Sequence, residues 1–140
     1  MAYIHVYQGN PTAGGVNGTL VSEATEASAI NFTLNASNNE EGTPMKLAVR
    51  CESGYQTTSA GVTVDIVDNS ATGKDLKWAL APDNAGSAGA FGAYGATLTL
   101  SGVIGATNVI FWVKAKATSD EAPQNDTNVD LKVEGIVEAV

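Results

Sequence analysis

Short apolar runs of period two recur along this chain, separated by clusters of Gly, Asn, Asp, Ser and Pro. In a strand successive side chains point to opposite faces, so such a run buries one face and wets the other. Leu47, Val49 and Cys51 share one face, with Lys46 and Arg50 opposite. Val62, Val64 and Ile66 alternate with Thr63 and Asp65, and Ile30, Phe32 and Leu34 form another such triplet. Leu76, Trp78 and Leu80 continue the pattern until Pro82, and Leu98 and Leu100 flank a threonine. Further runs lie at residues 2–8 and 19–22. No stretch carries a sustained helical stripe; only residues 23–29, EATEASA, have a composition that allows one helical turn. Many half-apolar strands with turn signals between them predict an all-β fold, a single antiparallel β-sandwich of about seven to nine strands.

The clearest alternation is in the last third. Val109, Phe111, Val113 and Ala115 share one face, and Trp112, Lys114 and Lys116 share the other. Val129, Leu131, Val133 and Val137 line one face of the final run, opposite Asp130, Lys132, Glu134 and Glu138. The connection between the two runs is polar and contains a proline. They are expected to pair as an antiparallel hairpin, with lysines facing acids on the solvent side. That pairing would bring Trp112 beside Ile136 and Val140 as an outward apolar patch.

A chain of 140 residues fits one domain, residues 1–140, and two cores would be cramped. With 44% apolar but only 6% aromatic residues, the core must be built mainly from Val, Ile, Leu and Ala. Fifteen acidic against seven basic residues give a net charge of −8. Nucleic acid and anionic membranes repel such a surface, so neither is an expected partner. Cys51 is the only cysteine, which excludes an intrachain disulfide; its place in an apolar alternation marks it as a small core residue. The start, MAYIHVY, lacks the basic stretch and long apolar run of a secretory signal, and the expected site of synthesis is the cytoplasm. Without such a signal the N-x-S/T matches at Asn17, Asn31, Asn35 and Asn125 carry little weight.

Catalytic chemistry finds little support. His5 is the single histidine, set in a tyrosine-flanked strand with no nucleophile elbow nearby. The acid pairs Asp65/Asp68 and Glu134/Glu138 have the spacing of a solvated strand face, as do Asp120, Glu121 and Asp126 in a polar loop. No His or Cys cluster has zinc-ligand spacing. Residues 68–73 match the first half of a calcium loop, but the twelfth position is Ala79, where a bidentate glutamate is needed. No enzyme, cofactor or metal is expected.

Contact chemistry is better represented. In residues 85–96, AGSAGAFGAYGA, glycine recurs every third position at Gly86, Gly89, Gly92 and Gly95, with Phe91 and Tyr94 between. Two readings stand: a long loop packing its aromatics on the sandwich edge, or a contact loop whose small residues let a neighbour approach. Trp112, opposite the core face, is an interface residue or a sugar-stacking platform. Trp78 shares its face with Leu76 and Leu80 and is expected in the core. Phe91, Tyr94, Trp112, Ile136 and Val140 are the expected contact residues.

The closing segment IFWVKAKATSDEAPQNDTNVDLKVEGIVEAV resembles the last hairpin of bacterial and viral immunoglobulin-like domains, modules found in structural proteins of tailed bacteriophages and prophages. The start MAYIHVYQGNPTAGG and the block KWALAPDNAGSAGAFGAYGATL resemble small phage structural proteins. The paired cysteines of antibody-type domains are absent. The resemblance implies an immunoglobulin-like topology and a virion component, made in the host cytoplasm, that binds other virion proteins or copies of itself. The alternative partner is a surface glycan.

Overall fold

A computed structural model describes residues 3–21, 30, 34, 41–68, 74–117 and 129–140. Among these residues the alternation becomes nine strands: β1 (Ile4–Gln8), β2 (Thr19–Leu20), β3 (Met45–Cys51), β4 (Tyr55–Asp68), β5 (Trp78–Asn84), β6 (Ser87–Ala88), β7 (Leu98–Leu100), β8 (Val109–Ala115) and β9 (Val129–Ala139). They form two antiparallel sheets, one of six strands in the order β2-β1-β3-β8-β5-β6 and one of three in the order β7-β4-β9. The all-β, sandwich-like expectation holds at this level. The acidic stretch 120–126, the helical turn allowed at 23–29, Phe32 and most of the half calcium loop lie outside the described residues.

Register explains what is buried. In the larger sheet Leu47 pairs with Phe111, Met45 and Leu80 with Val113, and Val6 with Val49, so these side chains leave the same face. Val62, Val64 and Ile66 of β4 pair along β9 and β7. One apolar cluster joins the two faces, with Leu47, Val49, Phe111, Val113 and Val64 fully buried and the β9 valines packed against it. Each such side chain contributes about 1.5–3 kcal/mol through burial. Cys51 sits in this core, where burial pushes its thiol pKa up and leaves it less nucleophilic.

Residues 101–107 close one end. Ile104 is buried, its N–H donates to Thr57 Oγ1 (2.9 Å), and its carbonyl accepts from the Thr57 N–H (2.8 Å) and from Cys51 Sγ (3.3 Å). Nearby, β4 slips register against β9 between Thr57 and Val62. Gly61 lies in that bulge at φ +70°, and a Cβ there would collide with the Leu100 carbonyl. Only glycine fits such a site.

Two expectations are corrected. β8 and β9 are not a hairpin: β8 lies between β3 and β5, and β9 pairs with β4 in the other sheet. Both strands are apolar on one face only, and separate sheets bury both apolar faces against each other. A hairpin within one sheet would leave that core without its second wall. Leu76 is 57% exposed, because residues Lys74–Lys77 form a 3₁₀ turn and the strand begins only at Trp78. Trp78 itself is half-buried against the core, as expected.

Candidate contact surface

The outer face of the six-stranded sheet is set by the same registers. Lys46 pairs with Trp112, Ala48 with Ile110 and Tyr7, Arg50 with His5, Ala81 with Trp112, and Ala79 with Lys114. Ala48, Ile110, Ala79 and Ala81 are buried although they point away from the core. Two loops account for this.

The first is residues 9–18, which return over the sheet to Asn108. Gly14 N–H donates to the Asn108 carbonyl (2.9 Å) and Asn108 N–H to the Gly15 carbonyl (2.8 Å). The buried Asn108 amide donates to the carbonyls of Thr12 and Asn17, both at 3.0 Å, and accepts from Arg50 Nη1 at 2.6 Å. Arg50 also lies 3.5 Å from the centre of the Tyr7 ring, a cation–π contact. His5, the one histidine, is at the rim and contacts Glu52 (3.0 Å).

The second is the glycine-aromatic loop. Ala85 and Gly86 make the two-residue β5–β6 turn, both with positive φ (52° and 94°), as primed hairpin turns require. The other three glycines are donors: Gly89 N–H to the Pro82 carbonyl (2.8 Å), Gly92 to Leu80 (3.1 Å) and Gly95 to Trp78 (2.7 Å). Three loop residues thus span two strand residues, so the loop advances about 2.2 Å per residue against about 3.3 Å for a strand. It caps the edge of β5, an edge that would otherwise invite foreign strands. A Cβ on Gly89 would sit 2.9 Å from the Pro82 carbonyl oxygen, which is why this contact needs glycine.

The same period places Phe91 and Tyr94 in equivalent positions over Lys114 of β8 and Lys116 just past its end. Lys114 Nζ lies 4.5 Å from the centre of Phe91 and Lys116 Nζ 4.2 Å from that of Tyr94. The Tyr94 hydroxyl donates to Glu41, which also pairs with Lys114 (3.3 Å). The Tyr94 hydrogen bond and Lys114 hold the Glu41 carboxyl below its ordinary pKa. Burial, then the Glu41 contact, pushes Tyr94 up to about 12. Of the two readings of this loop, packing onto the sheet is what the geometry displays.

Trp112 lies between the two loops. Its indole Nε1 donates to Asp83 (2.9 Å), and it lines a shallow cavity of about 490 Å³ with Gln8, Gly9, Asn10, Pro44, Met45 and Lys46. Among the described residues, Lys46 has no acidic or aromatic partner. Phe91, Tyr94 and Trp112 are therefore brought to one face. Ile136 and Val140 are not: Ile136 projects from β9 in the other sheet and Val140 follows its end, 71% and 81% exposed, alternating with Glu134 and Glu138. The expected single patch is two patches on opposite faces, for the same reason that the hairpin failed.

The sequence reading missed Asn108, Glu41 and Asp83. Only Asn108 had a signal, a polar residue at the head of the most apolar strand. Among the described residues no group of three or more His, Cys, Asp or Glu could hold a metal ion. Comparison with protein-family models, with curated proteins and with solved structures finds no match.

Proposed function

We propose that this domain is a non-enzymatic contact module, a structural component of a phage or prophage particle (head decoration, tail or baseplate-associated) with a variant immunoglobulin-like sandwich. The observation that carries the contact reading is the presence of large apolar side chains on the solvent side of both sheets: Trp112 in an open groove, Ile136 bare on β9 and Val140 bare just past its end. Exposed apolar surface with a polar rim marks an interaction site. The particle assignment rests on the sequence resemblance. Mass spectrometry of purified particles is expected to find the chain at stoichiometric abundance. Its absence there would remove the particle assignment.

The groove supports a second reading, a glycan-binding module. Trp112 offers a ring for stacking, and Gln8, Asn10 and Lys46 offer hydrogen-bonding groups around it. Titration calorimetry would then show glycan binding that Trp112→Ala abolishes while the far-UV circular dichroism is unchanged. No heat with any glycan would end this reading.

A further inference from the structure

Basic residues of this chain gather on one face, beside Glu41, which pairs with Lys114, and Asp83, which accepts from Trp112. Four of the seven basic residues, Lys46, Arg50, Lys114 and Lys116, lie on the outer side of the six-stranded sheet. Asp65, Asp130, Glu134 and Glu138 lie on the outer side of the three-stranded sheet, with Lys132 the basic residue among them. Lys114, Lys116 and the β9 acids are the charges that a hairpin would have set against each other. The topology separates them, so within one molecule they cannot meet. Lys114 and Lys116 are held by Glu41, Phe91 and Tyr94, so the lysine of that face that a second molecule can meet is Lys46.

We propose that copies of this chain associate head to tail, the outer face of β9 on one copy docking on the Trp112 groove of the next. This rests on the contact-module reading and names the chain itself as the partner. Ile136 is the apolar centre of one surface, flanked on the same face by Glu134 and Glu138. The groove supplies apolar walls from Pro44 and Trp112 and the cation of Lys46. With Glu134 paired to Lys132 at 2.8 Å, the aliphatic side chain beside the Glu138 carboxylate matches a groove whose ammonium has no acidic partner among the described residues. The two surfaces lie on opposite sides of the domain, so the contact is heterologous and propagates into a ring or an open chain. On a chain of net charge −8, local complementarity of this kind is what overcomes general repulsion between copies.

Sedimentation velocity over a concentration series tests this with the wild type and two variants. Lys46→Glu spoils the groove and keeps β9; Ile136→Lys spoils β9 and keeps the groove. The wild type is expected to form species larger than a monomer that dissociate as salt is added. Each variant alone is expected to sediment as a monomer, with a wild-type melting temperature and circular dichroism. An equimolar mixture of the two should give a one-to-one dimer and nothing larger, because only one intact pair of surfaces remains. Purely monomeric wild type, variants that assemble like the wild type, or a mixture that stays monomeric would each overturn the head-to-tail contact. These outcomes are separate from the particle assignment: a monomeric protein found in particles fails here alone, and an assembling protein absent from particles fails only there.

Discussion

The two outer faces of this domain are built in opposite ways. The six-stranded sheet is covered by two loops fastened with side chains: Arg50 and Asn108 hold residues 9–18, and Lys114, Lys116 and Glu41 hold Phe91 and Tyr94. The three-stranded sheet presents a bare row of Asp130, Lys132, Glu134, Ile136 and Glu138 on β9. It is shaped from within, by the Gly61 bulge. One sheet is fixed by what lies on it and the other by its own backbone. Sensitivity to substitution should divide along the same line.

The largest effect is expected at Gly61. Alanine there adds left-handed strain to a collision with the Leu100 carbonyl, a cost of about 3 kcal/mol or more. Thermal or urea unfolding measures it, and a loss below about 1 kcal/mol would mean that the bulge relaxes readily. On the covered face the matching substitution is Asn108→Ala. It leaves the Thr12 and Asn17 carbonyls without their amide donor and removes a partner of Arg50, costing about 2–3 kcal/mol. Hydrogen exchange should then rise in residues 9–18 and not in β9. Equal exchange in both would break the division between the faces.

A smaller change should go the other way. Ala85 holds positive φ in a primed turn that favours asparagine, so Ala85→Asn is expected to raise stability by about 0.5–1 kcal/mol. A lower melting temperature would show that the turn is set by something other than its φ.

The smallest effect is in the pH dependence of the loop clamp. Glu41 has a folded pKa below its ordinary 4.5, so its contribution is present above that value and fades as pH falls through the lowered one. Tyr94 is raised from 10.0 to about 12, so its contribution is complete below 10 and is lost as pH rises toward 12. Absorbance titration should show a phenol ionising near 12 that Tyr94→Phe removes. Titration curves that coincide for the two proteins would place Tyr94 away from Glu41.

Much of the contact surface was legible as residues but not as a place. The glycine period was visible, yet its purpose needed β5, whose carbonyls at Trp78, Leu80 and Pro82 it matches. Trp112 was rightly placed on the outward face, since strand parity alone fixes that. Its company was not, because parity does not say which strand lies alongside. Leu76 was misplaced because alternation alone does not reveal where a 3₁₀ turn gives way to a strand.

Local chemistry determined the all-β class, the inward and outward side of each strand and the burial of Cys51, since pleat and apolarity act over a few residues. Tertiary structure alone decided the partners. β8 and β9 each needed a facing apolar surface, and two sheets meet that need better than one hairpin. That choice carried Lys114 and Lys116 and the acids of β9 to opposite faces of the molecule. Pairing between distant strands is decided by how the whole core closes, and no short stretch of sequence contains that information.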